Sequence, residues 1–387
     1  MPKTILYIHQ SAELYGSDKA LYYIVNEINS NPNFNAIVVI PNDGPLKDLL
    51  EKNNIRVIVF PVIKVARSFF KFKNIITLPF VIANATKKLK KVLENENIDI
   101  VHSNTLAVLL GAFFAKRYRI KHIWHVHEII KKPKIVSVIY PLLVRYFSIK
   151  VVFNSKASKE VLCKGNKRLT RKSIINLNGM DRNAHIATNL EQKTIRKELF
   201  GAESDDIVIA LVGRISKWKG QKLLLESFSM LNKKHQNLKL VFVGSAPPNQ
   251  NYLVNELQSK IGTLKLNDFC RIIPFQENIW KIWDSIDLAV VPSTEPEPFG
   301  LVALEARLAK KPVIAANHGG LKEIVLDSET GYLFSPNNSE ELKNVIEKLI
   351  LNKENLKEFG INGYEKAIND FSLQRHIEQF LEIYQSL

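Results

Sequence analysis

At 387 residues, with 46% hydrophobic and 24% charged side chains, the chain has length for two domains and too much apolar character for a disordered one. Sixteen Gly and sixteen Pro exclude a collagen-like or linker-dominated chain, and the two cysteines, Cys163 and Cys270, form neither a disulfide framework nor a zinc motif, which points to a reducing compartment. The net charge of +16 is confined to one half: residues 1–180 hold 29 Lys and Arg against 11 Asp and Glu, and residues 181–387 hold 25 against 27. A basic half suits an anionic partner such as nucleic acid or acidic lipid, the plain alternative being a solvated surface that aids solubility.

In chain order, short β-branched runs alternate with longer segments of helical period, the pattern of a parallel α/β architecture. The first half offers ILYIH from Ile5, AIVVI from Ala36, RVIVF from Arg56, IDIVH from Ile98, HIWHV from His122 and KVVFN from Lys150. The second offers IVIALVG from Ile207, LKLVFVG from Leu238, CRIIPF from Cys270, LAVVPS from Leu288, PVIAA from Pro312 and GYLFS from Gly331. Right-handed crossovers then predict two doubly wound sheets, joined near INLNGMD, Ile175 to Asp181. A helical segment follows from about Asp370. The longest uncharged runs, Leu106–Ala115 and Ile135–Val144, fall short of the roughly 20 residues that span a bilayer. Ile5–Ile8 is too short for a signal-peptide core, so a cytoplasmic protein is expected.

Three clusters carry chemistry. After LAVVPS, Pro296 and Pro298 keep the backbone extended until Phe299, and a helix is predicted from near Gly300 through Leu301 to Lys310. Its free amides and positive dipole end suit a phosphate. Glu297 precedes that end and Glu305 lies inside it; carboxylates repel phosphate, so their functional reading is to accept hydrogen bonds from sugar hydroxyls. Otherwise Glu297 merely complements the dipole. In GRISKWKGQ, Arg214 and Lys219 stand between a strand and a helix, where two cations can neutralise a diphosphate leaving group, or simply be solvated. The P-loop pattern is missing. In HVHE, alternation puts His125 and His127 on one face at a strand end. No third metal ligand at diagnostic spacing is evident, so a substrate contact or a structural histidine remains.

Together these residues resemble the family 4 glycosyltransferases, retaining enzymes of the GT-B fold. EPFGLVALE (Glu297–Glu305) matches the E-x7-E motif, GRISKWKG the G-R-x4-K-G loop and NGMD the N-G-x-D at the domain join. HGGLKEIV with GYLF resembles the G-G-x-x-E-I-V and G-Y-L segments, and YGSDKAL the N-terminal G-G-x-E-R-x-L loop. The resemblance covers nearly the whole chain. It implies two Rossmann-like domains facing a cleft, an acceptor domain over 1–178 and a nucleotide-sugar domain over 179–369, with the C-terminal helix from about 370 crossing back to the first. It implies that Arg214 and Lys219 bind the donor diphosphate. The amides of Phe299, Gly300 and Leu301 then hold phosphate or sugar, Glu297 sugar hydroxyls and Glu305 the ribose. Gly16 lets the N-terminal loop approach the diphosphate, and His127 reaches the donor sugar. The chain departs from the pattern at Tyr15, in place of a Gly, and at Gln276, near the expected base pocket; the base stays open.

The expected reaction is transfer of a hexose-type sugar from a nucleotide diphosphate sugar to an acceptor hydroxyl, with anomeric configuration retained. No D-x-D triplet occurs, and the cationic loop and helix end are expected to replace a metal, so no cofactor is expected. A glycosidase also uses two carboxylates but needs no phosphate-binding helix end. A sugar-nucleotide epimerase on the same fold needs no basic acceptor domain. A nucleic-acid binder would show motifs that are missing here, and no nucleic acid is expected. In KVARSFFKFK, Phe69, Phe70 and Phe72 alternate with Lys64, Arg67, Lys71 and Lys73, and KKLKK and KKPK add seven lysines. Aromatic rings beside cations suit an anionic headgroup boundary, which predicts peripheral binding to the inner membrane face and fits the family's lipid-linked acceptors.

Overall fold

The computed structural model describes residues 2–63, 72–130, 133–182 and 184–387. The chain divides into two compact units, residues up to Met180 with Leu373–Leu387, and Asp181–Ser372.

Unit 1 alternates strand and helix: β1 (Lys3–His9), α1 (Gly16–Ser30), β2 (Phe34–Ile40), α2 (Pro45–Lys52), β3 (Arg56–Val59), α3 (Phe72–Val92) and β4 (Ile100–Asn104). It continues through α4 (Leu110–Tyr118), β5 (Lys121–Val126), α5 (Lys134–Phe147), β6 (Lys150–Phe153), α6 (Lys156–Cys163), α7 (Lys167–Lys172) and β7 (Ser173–Ile175). The seven strands are parallel in the order β3-β2-β1-β4-β5-β6-β7. Helices cover both faces, so the central strands are buried on both sides; β1 and β2 read as nearly continuous apolar runs, whereas β4 and β5 also bury His102, Ser103, Asn104, His122 and His125. On one face α1 and α2 pack with the last helix of the chain; on the other lie α3, α4 and α5. β7 goes beyond the six strands expected. Its three residues, SII, follow a basic helix and are too few for a period to register.

In unit 2, α8 (Asn189–Thr194) runs into one π-helical turn (Ile195–Phe200). Then come β8 (Ile207–Val212), α9 (Gln221–Leu231), β9 (Leu238–Val243), α10 (Tyr252–Thr263), β10 (Cys270–Ile273), α11 (Ile279–Ser285) and β11 (Leu288–Val291). α12 (Leu301–Leu308), β12 (Val313–Ala316), α13 (Leu321–Ile324), β13 (Gly331–Phe334), α14 (Ser339–Ile350) and α15 (Lys353–Asp370) complete it. Its parallel sheet has the order β10-β9-β8-β11-β12-β13, the doubly wound arrangement that unit 1 also contains. In α12, Arg307 is buried and donates to the carbonyls of Gly363 (2.9 Å) and Ile324, tying the helix to α15 and α13.

The chain then returns to unit 1 as α16 (Leu373–Gln385). Leu373, Ile377, Phe380, Ile383 and Tyr384, spaced three and four apart, form its buried stripe on the sheet. Tyr384 Oη is 2.7 Å from His102 Nδ1 and accepts from Tyr7 Oη at 3.1 Å.

Candidate functional site

In an open parallel sheet, ligands bind beyond the carboxyl ends of the strands where the strand order reverses. That point lies between β8 and β11 in unit 2, and between β1 and β4 in unit 1.

In unit 2 the loop after β8 carries Arg214 and Lys219, and the loop after β11 carries Glu297. Lys219 Nζ lies 2.7 Å from Glu297 Oε1, and Ser293 Oγ donates to the same oxygen. The two side chains are 15% and 6% exposed. Lys219 Nζ also stands 4.5 Å from the Trp218 ring centroid. The loops are joined through backbone as well, for Thr294 N donates to Trp218 O at 2.7 Å. Gly220, at φ +81°, makes this approach possible; a Cβ there would collide with the Pro292 carbonyl. Gly319, at φ +60°, does the same for Glu297, whose backbone a Cβ would strike, and Gly320 N donates to Glu297 O at 2.8 Å. His318 Nε2 donates to Ser293 O at 2.8 Å. Glu297 is thus held by three segments of chain.

Of the remaining residues anticipated in unit 2, Phe299, Gly300 and Leu301 lead into and open α12. Phe299 is buried, edge-on to Phe371 at 5.8 Å, so its side chain anchors the helix while its backbone leads into the N-terminus. Gly300 is the N-cap and Leu301 the first helical residue; the helix ends at Leu308, two residues before the expected end. Glu305 is buried, and Trp283 Nε1 on α11 donates to its Oε2 at 3.3 Å. Arg214 is half-buried, with its carbonyl accepting from Gln221 Nε2 at 3.0 Å.

In unit 1, β1 and β4 end in His9 and Asn104, and His127 follows β5. Asn104 Oδ1 accepts from His127 Nε2 at 2.9 Å, and Asn154 Nδ2 donates to His127 Nδ1 at 3.4 Å, which sets the Nε2–H tautomer. Asn104 also flanks His9, whose Nδ1 is 3.0 Å from Asn104 Nδ2. His9 Nε2 lies 2.6 Å from Asp18 Oδ1. All of these side chains are buried. Burial pushes His127 down to about 3, helped by the field of His9 and His376, so its imidazole is neutral. Burial by itself raises the Asp18 carboxyl, but the hydrogen bond and charge of His9 and the Tyr15 amide outweigh it, and its pKa is lowered. Burial lifts Glu128 to about 7, against the amides of Leu106 and His127 that it accepts from. His125, its ring centroid 3.9 Å from that of His127 and tilted 48° to it, is buried with neither ring nitrogen hydrogen-bonded. Gly16 is exposed, the first residue of α1.

Sequence reasoning did not single out His9, Asn104 or Asn154, and quoted Asp18 only within a loop pattern. The available signal was positional, since His9 and Asn104 each close a strand at its carboxyl end. Phe69, Phe70 and Lys71, with Lys64, Arg67, Lys131 and Lys132, lie outside the described residues, and Lys73 stands in the first turn of α3. Among the described residues, no group of three or more His, Cys, Asp or Glu could hold a metal ion, and no helix is long and apolar enough to cross a membrane.

The two switch-point sheets have counterparts in known proteins. Profiles of "Glycosyltransferase Family 4" and "Glycosyl transferases group 1" match residues 22–181 and 192–366. Anabaena HepE, solved in complex with UDP-glucose, superposes with a TM-score of 0.86 at 26% identity, over 99% of this chain and 100% of that one. An uncharacterized glycosyltransferase of Methanocaldococcus jannaschii is 29% identical over 79% of this chain and 80% of its own length. A lipopolysaccharide 1,2-N-acetylglucosaminetransferase of Salmonella typhimurium is 36% identical over 42% of this chain and 44% of its own. The fold is that of the GT-B glycosyltransferases. The chain belongs to the family 4 glycosyltransferases.

Proposed function

We propose that the protein moves a hexose-type sugar from a nucleotide diphosphate sugar to an acceptor hydroxyl with anomeric configuration retained. The acceptor in this reading is a lipid-linked or cell-surface saccharide, presented at the cytoplasmic face of an anionic membrane. The observation that carries it is the Lys219–Glu297 pair at the switch point of unit 2, a cation and a carboxylate 2.7 Å apart where the fold places ligands. Support also comes from HepE, solved with UDP-glucose, and from a relative named for capsular polysaccharide biosynthesis in Staphylococcus aureus.

In this reading Arg214 and Lys219 balance the diphosphate, and the first amides of α12, beside Phe299, Gly300 and Leu301, take phosphate or sugar oxygens. Glu297 accepts from sugar hydroxyls and Glu305 from the ribose. Gly16, exposed at the start of α1, leaves room for the diphosphate. His127 offers a neutral imidazole to the donor sugar, and a hydroxyl reaches it by replacing Asn154, whose bond is the longer of its two. The acceptor oxygen attacks the face from which the diphosphate leaves, and the departing phosphate oxygen takes its proton. With the leaving charge met by Arg214, Lys219 and the helix end, no metal is needed. The test is incubation with UDP- and GDP-hexoses and saccharide acceptors in the presence of a chelator, with the product anomer read by NMR. Retention in chelator supports the reading. Inversion, or activity that only magnesium or manganese restores, contradicts it.

A further inference from the structure

Three neighbouring helices of unit 1, α3, α4 and α5, contain nine lysines and arginines and not one aspartate or glutamate. They lie in a single layer, with α4 between the others: Phe114 shares a core cluster with Ile82 and Leu89 of α3, and Ala112 shares another with Val136 and Tyr140 of α5.

α5 is apolar on both sides. Val136, Tyr140 and Val144 are buried against the sheet. On the other side Val138, Leu142 and Tyr146, four residues apart, are 64%, 49% and 64% exposed. A helix of a soluble protein carries polar residues on that face. Single exposed hydrophobics are ordinary, but an aligned stripe over two turns marks a surface that something covers. Cations adjoin the stripe, as Lys116 Nζ of α4 stands 4.7 Å over the Tyr146 ring. Between α3 and α4 runs a groove of about 410 Å³, lined by Pro79, Ile82, Ala83 and Phe113 together with Lys116 and Arg117. Phe80, beside it, is 78% exposed.

We propose that the α3–α4–α5 face is where the protein docks on an anionic lipid bilayer, with the α5 stripe among the acyl chains and the cations at the headgroups. The proposal rests on the reading of a membrane-presented acceptor and names the surface that reaches it. An anionic bilayer offers both chemistries at once, hydrocarbon for Val138 and Leu142 and phosphate for the lysines. A second copy of this chain does not, because the exposed Lys87, Lys88, Lys91, Lys116 and Arg117 would meet their own kind with no carboxylate from these helices to pair with.

The experiment is co-sedimentation of the full chain with vesicles of phosphatidylcholine, alone or mixed with phosphatidylglycerol, at low and high salt. One variant combines Val138→Ser, Leu142→Ser and Tyr146→Ser; a second combines Lys87→Glu, Lys88→Glu and Lys91→Glu, all exposed. Circular dichroism checks that both fold. The wild type is expected to bind phosphatidylglycerol vesicles at low salt and to leave neutral ones unbound, with each variant weakened about tenfold or more. A wild type that binds no vesicle overturns the membrane-presented reading itself. A wild type that binds while neither variant weakens overturns this face and leaves that reading standing. Self-association that the serine variant abolishes, without vesicle binding, assigns the face to a second copy and overturns the proposal.

Discussion

Lys219 and Glu297 lie 78 positions apart, yet each is the other's nearest charge, and both are largely buried. Breaking a buried pair from one side leaves the other charge uncompensated, so the two are expected to act as a unit. Glu297→Ala and Lys219→Ala should each lower turnover on the order of 10²–10³, the usual cost of one charge-stabilising contact. The double variant should lose far less than the product of the two, as contacting residues are not additive. Steady-state kinetics on all four proteins checks this; full additivity would show that the residues work separately. Each residue was recognisable from its own motif, but their pairing was not, because nothing local links a β8 loop to a β11 loop. The same holds for Asp18, His9 and Asn104. Each looks like a polar strand or helix end; the β1–α1 turn brings Asp18 to His9, and only the sheet order that sets β1 beside β4 adds Asn104.

At the scale of elements, the strands were the most legible feature, since helices on both faces force short, largely apolar runs into them. β7 was not, being three residues at a sheet edge. Nor did the pattern reveal that histidines would join α16 to the sheet. His376 on α16, with Nδ1 2.8 Å from Asn176 Oδ1, packs with Phe380 beside His125. Burial holds His376 and His122 down to about 4 and His127 to about 3, and lowers His102 and His125 as well. Unfolded histidines take up protons near 6.5, whereas these five take theirs at lower pH, His376 and His122 not until about 4, so below 6.5 the unfolded chain binds more protons. The stability they contribute is therefore complete above about pH 6.5 and declines as pH falls toward about 4. Asp18, whose pKa is lowered from 3.8, adds its own loss only at still lower pH; within the histidine window Glu128, held near 7, opposes them as one group against five. Urea midpoints of unit 1, followed by the buried Trp124, should fall between pH 7.5 and pH 5. A constant or rising midpoint would contradict this account.

The molecule as a whole is two sheets threaded so that unit 1 is made from both ends of the chain. The last fifteen residues are not an appendage. Leu373, Ile377, Phe380, Ile383 and Tyr384 share a core cluster with β1, β2 and α1. Burying a large apolar side chain stabilises by about 1.5–3 kcal/mol, so five contribute on the order of 10 kcal/mol. A whole domain is typically stable by only about 5–15 kcal/mol. The truncated chain should therefore lose unit 1 and keep unit 2, whose sheet draws nothing from α16. Hydrogen exchange resolves this directly, with protection expected to vanish across the strands from β1 to β7 and to persist from β8 to β13. Trp124 fluorescence should shift to longer wavelength in the same sample. Retained protection in β1 and β4 would mean that the first 180 residues fold without their C-terminal helix, and that the stripe on α16 contributes much less than its buried area implies.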